Sequence, residues 1–195
     1  YAMRCLGSDA DGVADLLDDF VSGMREGGLS VTLKTFPGIG NVSADVTESI
    51  AENTDSLMTI RDTNFVPYAS GIQAGADCVM VSNAAYSKLT VKKVPAFMSQ
   101  DIVTKLLREE LGFDGIVMTS PLNDNVIENN YTNEFAVVEA VKAGCDLIVL
   151  PGNFKECYEA LITAVEEGRI DEKVINTSVR RILQNKIQRG ILVLE

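Results

Sequence analysis

Asp77-Cys78-Val79-Met80-Val81-Ser82 is a run of four apolar residues between two polar ones. Its apolar side chains fall on both faces of an extended chain, which fits a strand covered on both sides. Residues 65–74, just before it, have the composition of a helix. Downstream, Ser99 stands where it can cap a helix bearing Ile102, Val103, Leu106 and Leu107, and Gly112 ends that helix. The same order then recurs twice. Gly115-Ile116-Val117-Met118-Thr119 reads as a strand, and a helix over 134–143 leads through Gly144 to the strand Asp146-Leu147-Ile148-Val149-Leu150.

Working back from Asp77, Ser8 is placed to cap a first helix with Val13, Leu16, Leu17, Phe20, Val21 and Met24 at helical spacing. Gly27-Gly28 stops it, and a strand over 30–36 ends in Pro37-Gly38. Two helices, over 154–167 and 171–189, close the chain. Ile175, Val179, Ile182, Leu183 and Lys186 mark one face of the second. Helices alternating with short apolar strands predict an α/β fold with a parallel sheet. Four strands in 195 residues fall short of an eight-stranded barrel, which takes about 250 residues. Half of a barrel and an open flavodoxin-like sheet both fit this count.

The charge balance narrows the function. With 17 basic and 28 acidic residues the net charge is −11, which argues against a groove for nucleic acid. No stretch approaches the roughly 20 apolar residues of a membrane span. Tyr1-Ala2-Met3-Arg4 has the form neither of a signal peptide nor of a natural start, so a lost upstream segment is an expectation. The compartment, cytoplasmic or outside the cell, stays open. The chain has four cysteines, no C-x-x-C pair and no histidine, so a zinc site is not expected. Cys78 and Cys145 read as core residues. Asp15, Asp18 and Asp19 lie on the polar face of the first helix and suggest no metal site.

The segment Lys34-Thr35-Phe36-Pro37-Gly38-Ile39-Gly40-Asn41-Val42-Ser43-Ala44-Asp45-Val46-Thr47 resembles the active-site loop of bacterial beta-N-acetylhexosaminidases of glycoside hydrolase family 3. That loop reads K-H-F-P-G-H-G, followed by an aspartate and a histidine two residues apart. Lys34, Phe36, Pro37, Gly38, Gly40 and Asp45 match. Thr35, Ile39 and Thr47 stand in place of histidines, and Asn41 stands in place of the usual aspartate. Further matches are Arg4-Cys5-Leu6-Gly7-Ser8-Asp9, Val94-Pro95-Ala96, Leu107-Arg108, Leu111-Gly112-Phe113-Asp114-Gly115, Ala143-Gly144-Cys145-Asp146 and Arg181-Ile182-Leu183. They cover nearly the whole chain in the family's order.

The resemblance implies a TIM (β/α)8-barrel-like fold of which this chain holds about the last four βα units, as one domain over 1–195. An N-terminal half or an oligomer would then cover its strand edges. It also implies a carbohydrate ligand and no cofactor, with Arg4, Lys34 and Asn83 at positions that contact sugar. The catalytic positions depart from the pattern. Ser120, in Thr119-Ser120-Pro121-Leu122, takes the place of the nucleophilic aspartate. Thr47 takes the place of the histidine that works with Asp45 in proton transfer. A serine with no base is a poor nucleophile toward a sugar carbon, and threonine does not titrate near neutrality. Three functions follow: an inactive carbohydrate-binding or structural relative, a retaining glycosidase with groups relocated to Asp45, Glu48 or Asp124, and a protein-interaction module. Metal ligands are not expected in any of them.

Overall fold

The computed structural model describes residues 5–42 and 44–193. Its centre is a parallel sheet of β1 (Thr32–Phe36), β3 (Cys78–Val81) and β5 (Ile116–Thr119), in the order β1-β3-β5. Register runs from Thr32 opposite Cys78 and from Cys78 opposite Ile116. All three strands point the same way, so their C-terminal ends open on one rim. Val79, Val81 and Val117 are fully buried, as expected for strands covered on both faces.

The expected fourth strand is shorter than the sequence suggests. Leu147 forms a single parallel bridge to Met118. Beyond it the Val149 N–H donates to the Thr119 hydroxyl at 3.0 Å, so a side chain takes the acceptor role of a main-chain carbonyl. The ladder stops there, and Leu150 turns outward in the left-handed region with φ 46°. A second small sheet, β2 (Glu52–Asn53) with β4 (Ala85–Tyr86), was not foreseen. It has only two pairs, too short for an alternation pattern to reveal.

The helices pack around this sheet. α1 (Ala10–Glu26) is capped by Asp9, which accepts from the Gly12 N–H at 2.7 Å; the expected cap at Ser8 is one residue early. α1 turns Ala14 and Val21 inward and leaves Leu16 and Phe20 exposed. It lies on α3 (Phe65–Gln73), where the Ser70 hydroxyl donates to the Ala14 carbonyl. Gly71 lets α3 approach β1, since a Cβ there would meet the Leu33 side chain at 2.9 Å. Between β3 and β5 runs a wide, π-type helix, Asp101–Glu110, with Ile102, Val103, Leu106 and Leu107 buried. α2 (Leu57–Asp62) and α4 (Asn125–Glu128) are short. α5 (Asn133–Ala143) is buried along most of its length, and α6 (Phe154–Glu166) packs on it.

α7 (Glu172–Gln188) has no buried residue. Ile175 and Ile182 turn toward the sheet with Arg181, Asn185 and Arg189, whereas Val179 and Leu183 are exposed, contrary to the expected face. Val174 and Ile175 pack at the edge of the core, and polar contacts add to them. Asp77 and Asp146, each just before a strand at the N-terminal rim, accept the Val31 and Val117 N–H groups at 2.9 and 2.8 Å. Asp77 also takes Arg25, Arg189 and Asn185; Asp146 takes Arg108 and Arg181. Burial alone would raise the Asp77 carboxyl, but Arg189 and the Val31 N–H hold it below its ordinary range.

Candidate functional site at the C-terminal rim

The site is built from the ends of β1, β3 and β5. At the end of β1, Phe36 is fully buried, stacked on Phe65 at 5.6 Å and edge-on to Tyr68 at 5.1 Å. These rings fix where the chain turns. Both the Lys34-Thr35 and Phe36-Pro37 peptide bonds are cis. Gly38 follows at φ 114°, and a Cβ there would collide with the Asn64 side chain, whose amide donates to the Pro37 carbonyl at 2.9 Å. The Tyr86 hydroxyl donates to the Gly38 carbonyl. Glycine is required here on both counts.

The loop beyond Gly38 is tied down at several points. Asn41 donates to Asp55 at 2.8 Å, and β2 pairs with β4 behind it. Asp45 accepts from both the N–H and the hydroxyl of Thr47, at 2.9 and 2.7 Å. Those two bonds hold its carboxyl below the usual range. The loop also reaches across the rim. The Val126 N–H donates to the Thr47 carbonyl at 2.8 Å, and the Asn125 amide donates to Glu48 at 2.8 Å.

At the end of β3, Ser82 is buried and caps the Ala84 N–H, and Asn83 is only 1% exposed. The Asn83 amide nitrogen donates to Asp124 at 2.9 Å, while its Oδ1, buried, has no hydrogen-bond partner among the described residues. The Thr35 hydroxyl on β1 is in the same condition. At the end of β5, Ser120 is buried and its hydroxyl donates to the Val81 carbonyl at 2.9 Å. Asp124 occupies the N-cap position of α4 but makes no capping bond; its carboxylate goes to Asn83 instead. Burial raises the Asp124 carboxyl above its ordinary range, and the charges of Asp45 and Glu48 add to that, against Asn83 and Lys34.

Asp45, Thr47, Asn83 and Ser120 thus lie on the loops of one rim, joined by these bonds, and Lys34 acts electrostatically on Asp124. Lys34, on β1, is exposed, and none of the ion pairs among the described residues involves it. Arg4 lies outside the described residues. Among the described residues no group of three or more Cys, Asp and Glu could hold a metal ion. A cleft of about 400 Å³ lined by Thr90, Met98, Gln100, Phe135, Glu139 and Lys142 shares no residue with this rim. The contact between Asn83 and Asp124 spans 41 positions, and no local pattern announces it.

The N-terminal domain of glycosyl hydrolase family 3 matches residues 1–185. The chain belongs to that family. The beta-hexosaminidase of Stenotrophomonas maltophilia (strain K279a) is 32% identical over 189 residues, covering 97% of this chain and 53% of that protein. The beta-N-acetylglucosaminidase/beta-glucosidase of Cellulomonas fimi is 28% identical, over 96% of this chain and 35% of its own length. Among family-3 structures, the beta-N-acetylglucosaminidase of Paenibacillus sp. str. FPU-7 superposes with a TM-score of 0.93 at 33% identity, over 98% of this chain and 38% of that one. The beta-N-acetylhexosaminidase of Beutenbergia cavernae gives 0.86 at 31%, over 94% and 54%. The chain therefore spans about half the length, or less, of these relatives. Its α/β architecture is that of part of a TIM-like barrel, which removes the open flavodoxin-like alternative.

Proposed function

We propose that this family-3 chain, the C-terminal half of a barrel, binds carbohydrate at its C-terminal rim without hydrolysing it. The observation that carries this reading is Ser120. It stands at the tip of β5 where the resemblance places an anionic nucleophile, and its hydroxyl is buried and spent on the Val81 carbonyl. A neutral hydroxyl used this way neither attacks a sugar carbon nor offsets the positive charge of an oxocarbenium-like transition state. The proton-transfer position supports the same reading. Thr47 donates to Asp45, holding it ionised, and brings no group that titrates near neutrality. On this reading Lys34 and Asn83 supply the contacts to sugar hydroxyls.

The test is incubation of the full-length protein with aryl N-acetylglucosaminide and aryl glucoside. No turnover above background is expected, while titration with the corresponding methyl glycosides gives saturable binding. Robust turnover of either aryl substrate overturns the reading.

One observation favours a second reading, a glycosidase whose acid has moved. Asp124 is a partly buried carboxyl raised above its usual range at a strand end, as a general acid would be. Under that reading turnover is present and falls sharply in Asp124→Asn; turnover unchanged in both Asp124→Asn and Asp45→Asn defeats it.

A further inference from the structure

Three carboxylates gather on two segments that touch. Glu48 accepts from Asn125, Val126 donates to Thr47, and Asp45 holds Thr47, so Asp45, Glu48 and Asp124 face one stretch of the rim. Lys34 is the cation that acts on Asp124 there. An acidic cluster alone says little, because exposed carboxylates are usually just solvated. Asn83 supplies the independent observation. Its side chain is 99% buried, its nitrogen is committed to Asp124, and its oxygen is left without a donor. A buried amide oxygen without a donor is costly to keep, so it points to a donor group from a ligand. Asp124 points the same way, having left the capping bond that its position at α4 offers in order to face Asn83.

The missing group must donate to Asn83 Oδ1 and must offset negative charge beside Asp124. A sugar hydroxyl does the first and not the second. An acetamido group has one N–H, no charge and a methyl that brings nothing to carboxylates. A protonated primary amine has three N–H donors and a positive charge, so it can serve Asn83 and Asp124 together.

We infer that the rim formed by Asn83, Asp124, Asp45 and Glu48 is a binding site for an unacetylated amino sugar, its ammonium seated between Asn83 Oδ1 and the Asp124 carboxylate. This rests on the reading of the rim as a carbohydrate site and names the class of sugar it takes.

Calorimetric titration of the full-length protein with methyl β-D-glucosaminide, methyl N-acetyl-β-D-glucosaminide and methyl β-D-glucoside tests it, at low salt just below neutrality. The glucosaminide is expected to bind about tenfold more tightly than either neutral sugar, the equivalent of one good charged contact. Asp124→Asn should abolish that preference, so that the glucosaminide binds no more tightly than the two neutral sugars do to the same variant. Glu48→Gln, an exposed change that does not threaten folding, should reduce the preference about twofold, as expected of a more screened charge. Equal or tighter binding of the N-acetyl sugar overturns the inference while upholding the carbohydrate site. Binding of none of the three overturns both. A preference that survives in folded Asp124→Asn and Glu48→Gln also overturns the inference.

Discussion

The two rims of the sheet treat carboxylates in opposite ways. At the N-terminal rim, Asp77 and Asp146 have side chains 3% and 0% exposed, and each accepts a backbone N–H at or beside a strand and two guanidinium groups. At the C-terminal rim, Asp45, Glu48 and Asp124 make their hydrogen bonds to hydroxyls, amides and backbone, and Asn83 keeps an acceptor unused. One rim is closed electrostatically and the other is left incomplete. In barrels the first arrangement belongs to stability and the second to ligand contact. The comparison also explains how side chains at the C-terminal rim can vary while the fold is kept. The buried ion pairs that clamp the sheet, at Asp77 and Asp146, are at the far end.

The largest effect separating the rims is expected at Asp146. Asp146→Ala leaves Arg108, with its side chain 10% exposed, buried without its anion. It should lower unfolding stability by about 3–5 kcal/mol in urea titration, at unchanged slope. Asp77→Asn keeps the acceptor for Val31 but removes the charge, and should cost about 2 kcal/mol at neutral pH. The pH dependence sharpens this. The folded state holds Asp77 below its ordinary value of 3.8, so its contribution is full above that value and is lost as pH falls through the folded pKa. Asp77→Asn should therefore flatten the acid limb of stability against pH.

At the other rim the sign reverses. Asp124 is raised from 3.8, so the folded state holds that proton more tightly and stability declines as pH rises through the raised pKa. Asp124→Asn should remove this decline and stabilise the neutral-pH protein by less than about 1 kcal/mol, read by thermal unfolding. A clear loss of stability in Asp124→Asn, or none in Asp146→Ala, would break the contrast.

Much of the fold was legible because it depends on local pattern. Cys78–Val81 and Ile116–Thr119 are short continuous apolar runs, and Gly144 ends α5 in the left-handed conformation as its position suggested. The run at residues 146–150 looked equally strand-like. It fails as a full strand because Thr119, a residue on its neighbour, intercepts the Val149 N–H, and apolar periodicity carries no trace of that. For the rim, Asn83, Asp45 and Ser120 could be placed by likeness to a loop pattern, and Asp124 could be named as a spare carboxyl. The Asn83–Asp124 contact could not, since it depends on how two strand ends converge. At the N-terminal rim a signal was present: Ala74-Gly75-Ala76-Asp77 and Ala143-Gly144-Cys145-Asp146 repeat one small-residue turn ending in aspartate. The arginines that answer them, up to 112 positions away, are visible only in the fold.

The way α7 is fastened has a consequence on the timescale of hydrogen exchange. A helix with no fully buried side chain, held by Arg181, Asn185 and Arg189 beside the half-buried Val174 and Ile175, has less apolar area to lose on detaching than a core helix. Its amides should exchange through local opening well before those of β3, and added salt should hasten them by screening the guanidinium contacts. Each such excursion takes one arginine from Asp77 and one from Asp146, so the N-terminal rim loosens in step with the end of the chain.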